Sequence, residues 1–437
     1  MKSLSMISIR IAGGRSRELR PPCWRLLLVG LAAVIGLAGC TGPGASPSAQ
    51  LASVPSVPNT LTPGPTPSLS EALTPTPTPT AKSTLTFVAT GSMHAARIDA
   101  TATLLRNGEV LIAGGSNTLG APGNVDYASA ELYSPATGKF TKTGSMTVAR
   151  VDHTATLLQD GRVLIAGGAD CTDPACVASA ELYDPTTGKF ARTGSMSAPR
   201  GAATATLLPD GRVLLNGGGD NPWAELYEPK SGKFVRTGKE LLAGYHDTAV
   251  LLASGKVMLM GGPIDTPLYG ALYDEASGQF TKISCQPAPG TMPTVEYKGQ
   301  VVKRVDQAGP GSALKDGRVL LFESGYLETY DPATGACAGA GFISTAGLWL
   351  IPTATTLTDG RVLFAGGQIT LDPATYDDEI TNSAVMYDPS SGSQIVGSMK
   401  SARRGQDSTL LPNGSVLIAG GAGSDGNPLS SAELLTP

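Results

Sequence analysis

The chain has 437 residues and a formal net charge of −4, and it is rich in glycine (55 residues) and poor in aromatic residues (5%). This length could hold two or three ordinary domains, but internal repeats favour a single large one. The first 39 residues carry six basic side chains against Glu18 alone, so the remaining chain has a net charge of −9. Nucleic-acid binding is not expected of so acidic a chain, because it requires a basic surface.

The N-terminal segment is typical of a secretory signal. A basic stretch precedes a short apolar run, Leu26 to Ala38, which is too short to span a bilayer comfortably. The run ends in Leu-Ala-Gly-Cys at residues 37–40, which resembles a bacterial lipobox, where cleavage precedes the cysteine and the cysteine carries the lipid. The alternative is an ordinary signal peptide with a chance cysteine. We therefore predict a lipoprotein signal peptide at residues 1–39, lipidation of Cys40 and an extracytoplasmic protein that is lipid-anchored to the bacterial cell membrane.

Residues 40–83 form a segment rich in proline, threonine and serine that ends in a Thr-Pro repeat. Repeated proline favours extended polyproline II geometry, and this composition cannot bury a core. The segment is predicted to be a spacer between the anchor and a folded part, with a binding role as the alternative.

From residue 84 onward one unit of about fifty residues recurs. In Thr154 to Met196, two apolar runs flank an Asp-Gly turn, and two further runs flank a Pro-Thr-Thr-Gly turn, which predicts four short strands. The hairpin glycines that mark the repeats are Gly108, Gly161, Gly211, Gly255, Gly317, Gly360 and Gly414. Each repeat except the fifth closes its second strand with a glycine doublet, and most carry a tyrosine on the third strand and several a phenylalanine on the fourth.

This pattern over residues 84–437 resembles the kelch repeat, although phenylalanine stands where kelch repeats usually place tryptophan, and Glu323-Ser324 replaces the doublet of the fifth repeat. The resemblance implies an all-β fold, a seven-bladed kelch-type β-propeller. The seventh repeat ends after its third strand, and Thr86 to Met93 matches the missing fourth. The N-terminal strand is therefore expected to complete the last blade and close the ring.

Four cysteines fall within the repeats. They are Cys171, Cys176, Cys285 and Cys337. An even count in an oxidising compartment predicts disulfides. The first two could staple the loop after the second glycine doublet, and a bridge between the last two would join blades four and five. The alternative, a metal site at the first two, lacks a second ligand pair nearby, so disulfides are favoured.

Propellers usually bind ligands at the mouth of the central channel, where the connections between blades converge. At one recurring position before the first strand of a repeat, blades seven, one, two and three carry Arg403, Arg97, Arg150 and Arg200. Blade four has Gly244 there, followed by Tyr245-His246, and blades five and six have Asp306 and Trp349. Arginine pairs with carboxylates, so the four arginines would favour an anionic ligand at the mouth. The alternative is structural, with each arginine paired to a recurring acid or carbonyl, and the glutamates that recur on the third strands are interpreted as structural.

The pair Tyr245-His246 resembles the Tyr-His pair that galactose oxidase and its relatives place before an inner strand to bind copper. That family also needs a cysteine crosslinked to a tyrosine, and Asp99 and Asp152 stand where such a cysteine would be. With three histidines in the chain, no metal site, no cofactor and no catalytic residues are predicted.

The favoured function is an extracytoplasmic binding module for a protein or glycan ligand, attached to the membrane only through its lipid and expected to be monomeric. Its predicted ligand-binding residues are the four arginines, Tyr245, His246, Asp306 and Trp349. The alternative is a sugar-active enzyme, either a copper oxidase related to galactose oxidase or a kelch-type sugar mutarotase.

Overall fold

The repeats fold into seven four-stranded antiparallel sheets, or blades, in which each strand pairs with the next one outward. The computed structural model describes residues 85–118, 125–168, 178–218, 221–240, 246–261, 269–284, 295–297, 300–302, 308–323, 325–343, 348–372 and 377–436. Residues 83–437 form a compact unit. Within the described ranges, no helix is long and apolar enough to cross a membrane.

The strands of the first half of the chain follow the predicted repeats. They are β1 (Thr86–Ala89), β2 (Thr101–Leu104), β3 (Val110–Ala113), β4 (Ser129–Ser134), β5 (Lys139–Ser145), β6 (Thr154–Leu157), β7 (Val163–Ala166), β8 (Ala180–Asp184), β9 (Lys189–Arg192), β10 (Thr204–Leu207), β11 (Val213–Asn216), β12 (Trp223–Glu228) and β13 (Lys233–Lys239). Blade 1 is β2–β5, blade 2 is β6–β9 and blade 3 is β10–β13.

The second half of the chain adds strands that the repeats did not predict. The strands are β14 (His246–Leu251), β15 (Val257–Gly261), β16 (Tyr269–Asp274), β17 (Gln279–Ser284), β18 (Val295–Tyr297), β19 (Gln300–Val302), β20 (Ala308–Ala313), β21 (Val319–Glu323), β22 (Tyr326–Tyr330), β23 (Cys337–Phe342), β24 (Leu348–Leu350), β25 (Thr353–Thr356), β26 (Val362–Ala365), β27 (Gln368–Asp372), β28 (Asp377–Ile380), β29 (Ser383–Asp388), β30 (Gly392–Ser398), β31 (Asp407–Leu410), β32 (Val416–Ala419) and β33 (Ala432–Thr436). Blade 4 is β14–β17, blade 5 is β20–β23, and blade 6 is β25, β26, β29 and β30. The additional elements are the hairpin β18–β19, between blades 4 and 5, and the small sheet β24–β27–β28 beside blade 6.

The ring closes through the two ends of the folded unit, as predicted. Strand β1 pairs antiparallel with β33, from Thr86 opposite Thr436 to Ala89 opposite Glu433, and so completes blade 7 with β31 and β32. The first strands of successive blades contact one another all the way round, including β31 of blade 7 with β2 of blade 1. The seven-bladed, all-β propeller is therefore confirmed.

The hydrophobic core lies between the blades. Seven clusters of buried side chains each combine the second strand of one blade with strands of a neighbour, one cluster for each junction of the ring. Strand β7 is buried along its whole length, because both of its faces pack against apolar side chains. Tyr183 is also completely buried, and its hydroxyl lies 2.9 Å from Thr143 Oγ1 of the preceding blade. The junctions are thus mainly apolar and are pinned at the side by a hydrogen bond.

The Asp-Gly turns and the glycine doublets fix the two ends of each blade. Gly161 has a φ of 90°, which glycine adopts without the steric cost that other residues incur. At the opposite end, a Cβ on Gly114 would lie 2.5 Å from the carbonyl oxygen of Arg150, so only glycine lets the next blade approach this closely. The end of the ring that carries the Asp-Gly turns is called the turn face. The opposite end, where the connections between blades enter the first strands, is called the mouth.

Candidate functional site: the channel mouth

The four predicted arginines lie in the segments that enter the first strands, but they are buried. Their exposed fraction is 0–1%, and they are the largest of the fully buried side chains in the described chain. Each pairs with the glutamate of its own blade: Arg97 with Glu131 at 3.2 Å, Arg150 with Glu181 at 3.3 Å, Arg200 with Glu225 at 3.4 Å and Arg403 with Glu433 at 3.1 Å. The arginines are therefore held inside separate blades.

The terminal nitrogens of each guanidinium also bind the ends of neighbouring strands, whereas Nε is buried without a hydrogen-bond partner. Arg97 Nη1 donates to the carbonyl oxygens of Gly114 at 2.7 Å and Ser129 at 3.0 Å, and Nη2 donates to Ser129 Oγ at 2.8 Å. The same contacts recur in blades 2 and 7. Burial lowers the pKa of Arg97 from its usual range, and the charge of Glu131 partly offsets this. Each arginine thus fastens the incoming connection to the ends of β-strands two and three of its blade.

The paired glutamates hold the same connection from the other side. Glu131 accepts hydrogen bonds from the backbone N–H groups of His94 at 2.8 Å and Ala95 at 3.2 Å. Burial acts to raise the pKa of Glu131, but hydrogen bonds from His94 and the charge of Arg97 lower it overall. Glu181 and Glu433 receive equivalent backbone bonds. This geometry favours the structural interpretation of the arginines over an anion site, because their donors are directed into the blades.

Two residues after each arginine, the backbone turns into the mouth. Asp99 and Asp152 have φ values of 53°, in the left-handed region, which aspartate tolerates better than most side chains. The Asp99 N–H donates to the carbonyl oxygen of Gly405 in blade 7, and the Ala202 N–H donates to that of Asp152 in blade 2. The mouth is therefore rimmed by residues that link one blade to the next.

Three aspartates of this rim act on one another electrostatically. Burial, together with the charge of Asp152, raises the pKa of Asp99 to about 7, although Arg404 opposes the shift. Burial and the charge of Asp99 raise the pKa of Asp407 to about 7, against a hydrogen bond from the Ala102 N–H. Burial and the charge of Asp126 raise the pKa of Asp152. The side of the mouth formed by blades 7, 1 and 2 therefore holds several carboxyl groups whose negative charges disfavour one another.

This acidic cluster, Asp99, Asp152 and Asp407, was not predicted as a site. Its signal in the sequence is the recurrence of Arg-x-Asp at residues 97–99 and 150–152, two positions downstream of the arginines. As whole residues, Asp152 is exposed and the other two are partly exposed, so the cluster borders solvent, although the surrounding protein shields the carboxyl groups enough to raise their pKa values. Next to Asp152, the buried His153 directs Nε2 at Thr101 Oγ1 of blade 1, 2.9 Å away. Burial, followed by the charge of Arg150, lowers the pKa of His153 to about 3, so its imidazole is neutral at physiological pH.

The other predicted ligand residues lie only partly within the described chain. Tyr245 and Asp306 fall outside the described residues. His246 begins β14 opposite Gly261, and Trp349 lies in β24 opposite Ile369, within the small sheet beside blade 6. The structure describes only the backbone at these two positions, so their role stays a prediction. Cys40, Cys171, Cys176 and Cys285 are outside the described residues, and Cys337, on β23, is disulfide-bonded.

Comparison with known proteins reveals the fold but no family. No protein-family model and no curated protein matches the chain. Among solved structures, the chain is similar to a fungal alcohol oxidase of the AA5 family in complex with copper, with a TM-score of 0.58 and 13% sequence identity. The match covers 80% of this chain and 76% of the oxidase. In the described part of the chain, no group of three or more histidine, cysteine, aspartate or glutamate side chains is placed to hold a metal ion. A likeness at this identity shows the propeller fold, which is shared with a galactose oxidase-family protein, and nothing about the chemistry.

Proposed function

We propose that the propeller is a binding module whose ligand enters the channel mouth beside blades 7, 1 and 2. The observation that carries this is the acidic cluster, because its residues are exposed or partly exposed at the mouth while the arginines are engaged inside the blades. Carboxylates accept hydrogen bonds from sugar hydroxyls and pair with basic side chains. The ligand that fits this mouth is a neutral glycan or a basic segment of a protein. An anionic ligand, which the arginines suggested, would be repelled.

The test is a binding screen of neutral glycans, acidic glycans and basic peptides against the intact protein. Replacing Asp99 and Asp152 together by asparagine keeps the size of both side chains and removes the charge. The matched control is Asp160→Asn with Asp210→Asn, two carboxylates of the turn face that pair with Arg162 and Arg212. We expect the mouth variant to lose the ligand and the turn-face variant to keep it. Equal binding by both variants would place the site elsewhere.

A second candidate function is oxidation of a sugar or another alcohol. It is favoured by the structural similarity to a copper-containing alcohol oxidase and by Tyr245-His246, which precede β14. Within the part of the chain that the structure describes, no group of three or more histidine, cysteine, aspartate or glutamate side chains is placed to bind copper. Copper content of the purified protein, together with hydrogen peroxide formation from galactose and simple alcohols, separates the two candidates. Stoichiometric copper with turnover would replace the binding module by an enzyme.

We also propose that the protein acts outside the cytoplasm while attached through the lipid on Cys40. The support is the basic and apolar N-terminal segment, the Leu-Ala-Gly-Cys sequence and the proline-rich spacer that follows. A spacer of extended geometry would hold the mouth away from the membrane surface. This placement suits a module that captures ligands from its surroundings.

A further inference from the structure

The junction between blades 3 and 4 departs from the apolar pattern of the other junctions. Just after the fourth strand of a blade, where the chain leaves for the next blade, four junctions have a buried methionine. These residues are Met93, Met146, Met196 and Met399. The equivalent residue after β13 is Glu240, which is only 7% exposed. At the end of the second strand, Ala113, Ala166, Ala365 and Ala419 are buried in four blades, and the equivalent residue on β11 is Asn216.

Asn216 and Glu240, the two polar residues that stand in place of alanine and methionine, lie close together. In blades 1 and 2 the equivalent alanine and methionine belong to the same core cluster, Ala113 with Met146 and Ala166 with Met196. In blade 3, Glu240 Oε1 accepts a hydrogen bond of 3.0 Å from the N–H of Gly217, the residue that follows Asn216. The repeat geometry therefore places the Asn216 amide and the Glu240 carboxylate in the same interblade space.

Asn216 has no hydrogen-bond partner for either polar atom of its side chain, and it is only 1% exposed. A buried amide without partners is costly, and buried polar groups in folded proteins are almost always satisfied by protein or by an ordered water. The charged groups next to Asn216 also need hydrogen-bond partners in this buried place. Arg200 faces two carboxylates, Glu225 at 3.4 Å and Glu240 at 3.7 Å, with all three side chains almost completely buried.

We propose that the junction of blades 3 and 4 holds an internal water site, in which one water molecule bridges the Asn216 amide and the Glu240 carboxylate. A water can accept from Asn216 Nδ2 while it donates to Asn216 Oδ1 or to Glu240, which a hydrophobic side chain or a metal ion cannot do. The site lies on the mouth side of the ring, because the chain continues from Glu240 into the connection that leads to His246. It makes this junction a hydrated one, whereas methionine fills the equivalent place in the junctions of blades 1 with 2 and 2 with 3.

The experiment uses the full chain and the variant Asn216→Ala, which restores the alanine of the other blades. A high-resolution crystal structure of the wild type should show a water within hydrogen-bond distance of both side chains. Oxygen-17 relaxation dispersion should count one long-lived water fewer in Asn216→Ala than in the wild type, and the melting temperature should fall. The matched control is Asn107→Ala, which removes an exposed amide that donates to Glu109 at 2.8 Å and should leave the water count unchanged.

Three results would overturn the proposal. One is a wild-type structure without water at this place, and another is an unchanged water count in Asn216→Ala. The third is a higher melting temperature of that variant, which would mean that the amide is buried unsatisfied and alanine relieves the cost. Should Asn216→Ala fail to fold, the wild-type density and the variant Glu240→Gln, which keeps an acceptor for the Gly217 N–H, still decide the question.

Discussion

Replacing Arg150 by alanine should destabilise the propeller strongly, because it leaves the buried carboxylate of Glu181 without its partner. Arg150 and its partner Glu181 both have side chains that are 1% exposed, and the two lie 3.3 Å apart. Removing one member of a buried pair costs about 3–5 kcal/mol of unfolding free energy, since the other charge stays buried without compensation. The carbonyl oxygens of Gly167 and Ser179 would also lose the hydrogen bonds from Arg150, although that of Ser179 keeps the bond from the Gly167 N–H. For a domain of about 350 residues, this loss corresponds to a fall of about 4–7 °C in melting temperature.

The assay is thermal unfolding followed by circular dichroism or calorimetry, with Arg162→Ala as the matched control. Arg162 and Asp160 are closer together, at 2.7 Å, but their side chains are 37% and 43% exposed on the turn face. Exposed pairs contribute only about 0–1 kcal/mol, so the control should shift the melting temperature by no more than about 1 °C. Equal shifts in the two variants would refute the structural role of Arg150. An unchanged melting temperature together with lost binding of an acidic ligand would restore the anion-site interpretation.

Three further predictions concern closure, anchoring and pH. Deleting residues 84–93 removes β1 and Met93, exposes the edge of β33 and should lower the melting temperature and promote aggregation, whereas deleting residues 60–80 of the spacer should leave the melting temperature unchanged. The variant Cys40→Ala should lose labelling by a fatty-acid probe and leave the membrane fraction, and continued membrane attachment would contradict the lipoprotein assignment. The raised pKa values of Asp99 and Asp407, about 7 against an ordinary 3.8, mean that the folded state holds protons that the unfolded chain releases, so their stabilising contribution is complete below about pH 4 and is lost as the pH rises through 7. Asp99→Asn with Asp407→Asn should therefore flatten the dependence of melting temperature on pH between 5 and 8, and an unchanged slope would show that the two carboxyls do not titrate there.

The propeller could be predicted because the sequence pattern of one blade occurs several times in the chain. Asp-Gly turns, apolar second strands and glycine doublets recur with the same spacing, so an error in one repeat is corrected by the others. The closure by β1 was also readable, since the missing strand of blade 7 has the same sequence pattern as its equivalents. The hairpin β18–β19 and the sheet β24–β27–β28 were not readable, because they belong to insertions that have no counterpart elsewhere in the chain.

The candidate site was harder to predict because recurrence alone does not separate a ligand residue from a structural one. The arginines and the third-strand glutamates recur together, and the sequence could not show that they are within 3.4 Å of each other in each blade. That distance depends on how the incoming connection bends over the sheet, which is a tertiary property. Asp99 and Asp152 carried a weaker signal, since they recur in only two blades and their proximity to Asp407 requires the ring to close.

This contrast suggests where function should be sought in a repeat of this kind. A polar residue that recurs in most blades can satisfy the same local need in each of them, as the arginine–glutamate pairs do, and its burial then keeps it from a ligand. A polar residue that breaks the pattern has no such local need, so its burial must be offset by something particular to its own place.

Asp407 stands where the first strands of blades 1, 2, 3 and 6 carry threonine, at Thr101, Thr154, Thr204 and Thr353. Its carboxyl faces Asp99 across the boundary between blades 7 and 1, and this irregularity makes the mouth acidic on one side. Asn216 and Glu240 break the pattern in the same sense at another junction. The departures from the repeat, more than the repeat itself, therefore identify the residues that serve a need particular to one place in the ring, a ligand at the mouth for Asp407 and an internal water for Asn216 and Glu240.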